Sequence, residues 1–129
     1  MYQRKLPKEY YCTVDYALDI FGGKWKPRLL CILGNMAPIR YGDLKDEMGN
    51  ISDAALADSL KELQQQGIVE RKQYNEMPIR VEYNLTKKGK SLIPVLDTIS
   101  DWAVENSSLD LYRGKHFNKI HRDSFTKDN

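Results

Sequence analysis

The sequence predicts an α+β fold, mostly α, in which a helix-turn-helix is followed by a two-stranded hairpin and flanked by further helices. Three observations predict it. Leu44 and Met48, then Leu56, Leu60 and Leu63, recur at helical spacing on either side of a Gly49-Asn50 turn. Ser52 stands where the second of these helices would need a cap. Ile79, Val81, Tyr83 and Leu85 alternate strictly with Arg80, Glu82 and Asn84, the period of a half-buried strand. A first strand from Ile68-Val69 toward Tyr74 reaches it through the turn Asn75-Glu76-Met77-Pro78. A hairpin directly behind a helix-turn-helix is a wing, so the fold is a winged helix-turn-helix.

The remaining elements follow in chain order. Residues 1–12 read as an extended arm. Val14, Ala17, Leu18 and Phe21 have the i, i+3, i+4, i+7 spacing of an amphipathic helix, which Gly22-Gly23 ends. A second helix starts near Pro27, carries Leu29, Leu30, Ile32 and Leu33 on its buried stripe, and is expected to stop at Gly34-Asn35. The short first helix of the helix-turn-helix is expected over Asp43–Met48, and the second from Ser52 to Gln66, ahead of Gly67. After the wing, Thr86 caps a helix bearing Leu92, Val95, Leu96, Ile99, Trp102 and Ala103, and Pro94 within it either kinks it or delays its start. The domain reading is therefore an arm (1–12), a winged domain with dimerisation helices (13–106), and a polar tail (107–129).

Bulk properties narrow the function. The 129 residues suffice for one self-supporting core. No apolar run approaches the roughly 20 residues that span a bilayer, and the basic start MYQRKLPKEYY lacks an apolar core region, so no secretory leader is read. Two cysteines make no disulfide framework, and a cytoplasmic location is expected. The net charge of +2 is unevenly spread: residues 1–112 carry 15 basic and 16 acidic side chains, whereas residues 113–129 carry five basic and two acidic. A nucleic-acid surface must therefore arise from local segregation of charge. An enzyme is not supported, since phosphate-loop, dinucleotide and zinc-protease motifs are absent, and His116 and His121 both fall in the tail. No cofactor and no metal is expected.

Several motifs, in order and at their spacings, resemble one family. They are Cys12 thirteen residues before Trp25 in Gly22-Gly23-Lys24-Trp25; Arg40-Tyr41-Gly42-Asp43-Leu44; Ile51-Ser52 leading to Leu56 and Leu60-Lys61-Glu62-Leu63; Gly67-Ile68-Val69-Glu70-Arg71; and Val81-Glu82-Tyr83-Asn84-Leu85-Thr86 before Gly89, with Pro94 and Trp102. Over residues 12–103 the chain resembles the HxlR-type bacterial winged-helix regulators. The resemblance implies a dimeric, sequence-specific transcription factor on double-stranded DNA, with Cys12 at the position of a cysteine that senses oxidants or electrophiles. Thr13 stands where many relatives have proline, and residues 104–129 hold no second cysteine. The routes left to Cys12 are a sulfenic acid, a mixed disulfide or a Cys12–Cys12 bridge; an inert thiol is the alternative. Cys31, amid Leu29–Leu33, reads as core packing.

The helix from Ser52 is the candidate recognition helix, and Ser52, Asp53, Ala54, Ala55, Asp58 and Ser59 are its reading end. Its outward face carries Ala54, Asp58, Lys61 and Gln65. Asp53 reads either as a base contact or as an acid offsetting the helix dipole. Backbone contacts are expected from Lys24, Lys26, Arg40, Lys61, Arg71, Lys72 and Arg80, and Arg80→Ala is expected to weaken binding to all sequences and to lower the salt slope. Val14, Leu18 and Phe21, with Val95, Ile99 and Trp102, are the expected dimer surface on a pseudo-palindromic operator. The other reading of the same fold is a protein-interaction module with weak or no DNA binding.

Overall fold

A computed structural model describes residues 9–108; residues 1–8 of the arm and 109–129 of the tail lie outside the described residues. The order is α1 (Thr13–Phe21), α2 (Lys26–Met36), β1 (Ile39–Arg40), α3 (Tyr41–Met48), α4 (Asp53–Gln65), β2 (Val69–Tyr74), β3 (Arg80–Leu85), α5 (Lys87–Lys90) and α6 (Ile93–Glu105). The leucine stripes explain the packing. Leu29, Leu30, Ile32 and Leu33 of α2, Leu44 and Met48 of α3, and Leu56, Leu60 and Leu63 of α4 are all buried in one core with Ile68, Tyr83, Leu85 and Leu96. The sheet is antiparallel in the order β1-β3-β2, with Ile39 opposite Tyr83, Arg40 opposite Glu82, and Val69 through Tyr74 opposite Leu85 through Arg80. Among the described residues no helix is long and apolar enough to cross a membrane.

Local signals account for the helix starts. The Ser52 hydroxyl accepts the Ala55 N–H at 3.1 Å and opens α4. Thr86 accepts the Gly89 N–H at 3.0 Å and opens only the single turn of α5; Pro94 then lies in the first turn of α6, so it delays the long helix instead of kinking it.

Four expectations are corrected. Helix α2 runs through Gly34-Asn35 to Met36. The Asn35 side chain donates to the Cys31 carbonyl at 2.8 Å, and Gly34 leaves room for α6, because a Cβ there would meet Ile93 Cδ1 at 2.7 Å. Gly34 is therefore a packing residue, not a stop. Helix α3 starts at Tyr41, two residues before Asp43, immediately after a strand, β1, too short to leave a pattern. Phe21 is 4% exposed and belongs to the protomer core, not to a dimer surface: it sits one turn past Leu18, on the side of α1 that meets the core. Ile79 is exposed and precedes β3, so the alternation holds only from Val81 onward.

Candidate nucleic-acid interface

Helices α3 and α4, joined through Gly49 to Ser52, form the helix-turn-helix, and β2 and β3 form the wing beside it. The start of α4 is clamped. Tyr41 and Lys45 lie four residues apart, on one face of α3, and both reach Asp53 at the first position of α4. Lys45 Nζ is 3.0 Å from Asp53 Oδ1, and the Tyr41 hydroxyl donates to the same carboxylate at 3.2 Å. The Lys45 and Tyr41 hydrogen bonds hold the Asp53 carboxyl below its usual range, while desolvation and the bond to Asp53 raise the Tyr41 phenol. The clamp is complete above the ordinary carboxylate pKa and is lost as the pH falls through the depressed one. The exposed Asp53 carboxylate is thus paired with Lys45 across the two helices.

The reading end is short of polar groups. Ala54 and Ala57 are exposed and Asp58 is half-exposed, but Ser59 is 6% exposed and buried. Ser59 was expected among the base-reading residues; it falls on the side of the Leu56–Leu60–Leu63 stripe and cannot present its hydroxyl to a groove. Ser52 is exposed, although its hydroxyl caps the helix, and Ala55 is partly buried against the core.

The cations differ in exposure. Lys24, Arg40, Lys61, Arg71 and Lys72 are exposed. Lys24 lies 4.8 Å from the Trp25 ring centre and Lys72 4.9 Å from that of Tyr74. Lys26 and Arg80 are engaged within the protomer. Lys26 Nζ is 2.8 Å from Glu62 Oε1, with the two side chains 13% and 17% exposed. That nearly buried pair ties α2 to α4, which corrects the expectation that Lys26 is offered to phosphate. Arg80 is held by Glu76 at 3.0 Å and Glu82 at 3.7 Å. Arg40 borders a cleft of about 410 Å³ that is also lined by Asp43, Asp46, Glu47 and Glu82, so its positive field is local.

Sequence reasoning missed Tyr41 and Lys45 as positioning residues. Their i, i+4 spacing ahead of an acidic first helical residue was the available signal.

Cys12 is exposed and caps α1, its sulfur accepting the Val14 N–H at 3.4 Å. Cys31 is partly buried, and burial, with the Asp97 carboxylate second, pushes its thiol up to about 11. At pH 8 the thiolate fraction of Cys31 is then about a hundredfold below that of a thiol at the ordinary value of 9.0. Iodoacetamide labelling of native protein, read by mass spectrometry, should therefore mark Cys12 well before Cys31. Equal rates would contradict the packing around Cys31. The same shift favours the folded state less as the pH rises from about 9 toward 11, because the unfolded thiol ionises first.

Residues 20–110 match the family of HxlR-like helix-turn-helix proteins. The chain belongs to the HxlR family. An HTH-type transcriptional regulator of Halalkalibacterium halodurans is 41% identical over 107 residues, covering 83% of this chain and 95% of that one. Among solved structures, the redox regulator HypR in its oxidized form is 33% identical, with a TM-score of 0.69 over 75% of this chain and 99% of that one. The reduced form of the transcriptional regulator YodB from B. subtilis is 32% identical, with a TM-score of 0.66 over 75% and 94%. This HxlR-family chain is a winged-helix transcriptional regulator that binds double-stranded DNA.

Proposed function

We propose that the regulator acts in the cytoplasm as a homodimer on a pseudo-palindromic operator, through the winged domain at 13–106, with α4 of each protomer in the major groove and Cys12 coupling binding to oxidants or electrophiles. The observation that carries the dimer is an apolar band left uncovered on α1 and α6. Val14, Leu18, Val95, Ile99 and Trp102 are all exposed, and Trp102 is 66% so. They give each of the two helices an exposed apolar face suited to a second copy of the chain. Backbone contacts come from Lys24, Arg40, Lys61, Arg71 and Lys72, and few direct base contacts come from Ala54, Ala55 and Asp58. The polar segment 107–129 follows the domain.

Cys12 supports the sensing role by its position. It is exposed and opens α1, the helix that carries Val14 and Leu18 of the apolar band. A peroxide oxidises the thiolate to a sulfenic acid and is itself reduced to hydroxide or alkoxide. A second thiol, either a small one or Cys12 of the partner subunit, then displaces water and closes a disulfide. HypR and YodB, solved in states named oxidized and reduced, lend the reading support.

Fluorescence polarisation with the protein's own upstream DNA at several salt concentrations tests the proposal. The expected result is binding whose affinity falls steeply with salt, and which a peroxide alters in the parent but not in Cys12→Ser. Salt-insensitive or absent binding would favour the protein-interaction reading.

A further inference from the structure

Helix α4 is fastened to its neighbours by two charged contacts that lie on opposite sides of it. Asp53, in its first turn, is held from α3 by Lys45 and Tyr41. Glu62, in its third turn, is held from α2, with Lys26 Nζ 2.8 Å from Glu62 Oε1. Nine residues separate the two carboxylates. That is about two and a half turns, so they project roughly 180° apart around the helix axis. The stripe between them, Leu56, Leu60 and Leu63, is buried. Apolar packing sets the depth of the helix but is non-directional. Charged contacts on both flanks resist rolling about the axis. Ala54, Asp58 and Glu62 follow one another at i, i+4 spacing on one side of α4. The roll fixed at Glu62 is therefore the roll with which Ala54 and Asp58 meet a groove.

Lys26 is anchored in turn. It is the first residue of α2. Trp25 before it packs against the core, and Lys24 and Arg28 lie 4.8 and 5.7 Å from its ring centre. Arg28 Nη1 donates at 3.0 Å to the carbonyl of Met48, the last residue of α3. The first turn of α2 thus grips both helices of the helix-turn-helix. The two fastenings of α4 differ in their surroundings. The Lys45 and Asp53 side chains are 38% and 72% exposed, whereas the Lys26–Glu62 pair is nearly buried. Water and salt weaken the first contact more than the second. A nearly buried ion pair need not stabilise more than apolar side chains of its size, but it has a direction that they lack.

We propose that Lys26 and Glu62 are positioning residues that set the roll of α4, and through it the discrimination between DNA sequences, without touching DNA themselves. This rests on the reading that α4 enters the major groove. The probes are a duplex selected by the parent protein from a random pool and a scrambled duplex of the same length. The readout is the ratio of the two affinities. Lys26→Met with Glu62→Leu removes one charge of each sign, so affinity for the scrambled duplex should hold. The urea midpoint should stay near that of the parent. The ratio should fall about tenfold or more, the size of one lost base contact. Glu62→Gln keeps the size of the side chain and an acceptor for Lys26, so it serves even if the apolar pair does not fold. It should lower the ratio about threefold. Its added positive charge raises both affinities alike, so the ratio isolates the roll. Lys26→Arg keeps a cation facing Glu62 and should restore most of the discrimination.

An unchanged ratio in either folded variant overturns the proposal. So does a fall of both affinities together, the mark of a purely structural role. A folded Lys26→Arg protein that discriminates no better than the double variant overturns the part assigned to the charge. A parent that bound no duplex would end the operator reading itself, whereas failure of the pair leaves parent binding intact, so the two failures are distinguishable.

Discussion

Gly89→Ala is expected to destabilise the fold by about 3 kcal/mol, read as a fall in the urea midpoint at unchanged m-value. Gly89 is buried at the start of α5, against the base of the wing. An added Cβ would stand 2.1 Å from the Ile68 carbonyl oxygen and 3.2 Å from Leu85 Cδ2. The oxygen cannot retreat cheaply. It accepts the Thr86 N–H at 3.0 Å, and the Ile68 side chain is packed in the core. Thr86 in turn donates to Gly67 O at 2.5 Å and accepts from the Gly89 N–H, so the whole junction between α4, the wing and α5 moves or none of it does. Gly34→Ala makes the contrast. There the clash is with the tip of Ile93, which can change rotamer, and alanine recovers up to about 1 kcal/mol of helix propensity. Its midpoint should shift little. A Gly89→Ala protein as stable as the parent would mean that α5 does not press on Ile68.

Ile99→Asp with Trp102→Asp is expected to convert the regulator to a monomer and weaken binding to a full two-fold site by at least about a hundredfold. Each side chain is exposed in the protomer, so the charges cost little within it and much across a buried apolar interface. Sedimentation would give the mass, circular dichroism the retained helix, and polarisation the affinity. Binding to a duplex holding a single half-site should be nearly unchanged. A double variant that still sedimented as a dimer would place the interface elsewhere.

Most of the fold was legible because it is written in periodic patterns. The leucines of α2 and α4 and the alternation of Val81, Tyr83 and Leu85 predict their elements, and Ser52 and Thr86 mark helix starts by their own hydrogen bonds. What was not legible is set by contacts between distant segments. β1 has two residues and exists only because β3 pairs with it. Gly34 looks like a helix stop until Ile93 of α6 is seen to need the space.

The interface shows the same division. Which residues are charged is plain in the sequence; which charges are already matched is not. Lys26 and Glu62 are 36 positions apart in the chain and pair across two helices. Arg80 sits in an alternating strand like any outward cation, yet it is closed in by Glu76, Glu82 and Tyr74. Phe21 and Leu18 belong to one helical stripe, and only the packing of α1 decides that the first is buried and the second exposed.

The two residues of β1 have a mechanical consequence. By pairing with Glu82 and Tyr83, they rivet the start of α3 to the middle of the hairpin, and Tyr41 carries the connection on to α4. Helix and hairpin therefore form one caliper of fixed jaw width. The spacing between the helix and the hairpin is thus set within the protomer. In the proposed dimer, adjustment to a different operator would come from the joint between two such calipers.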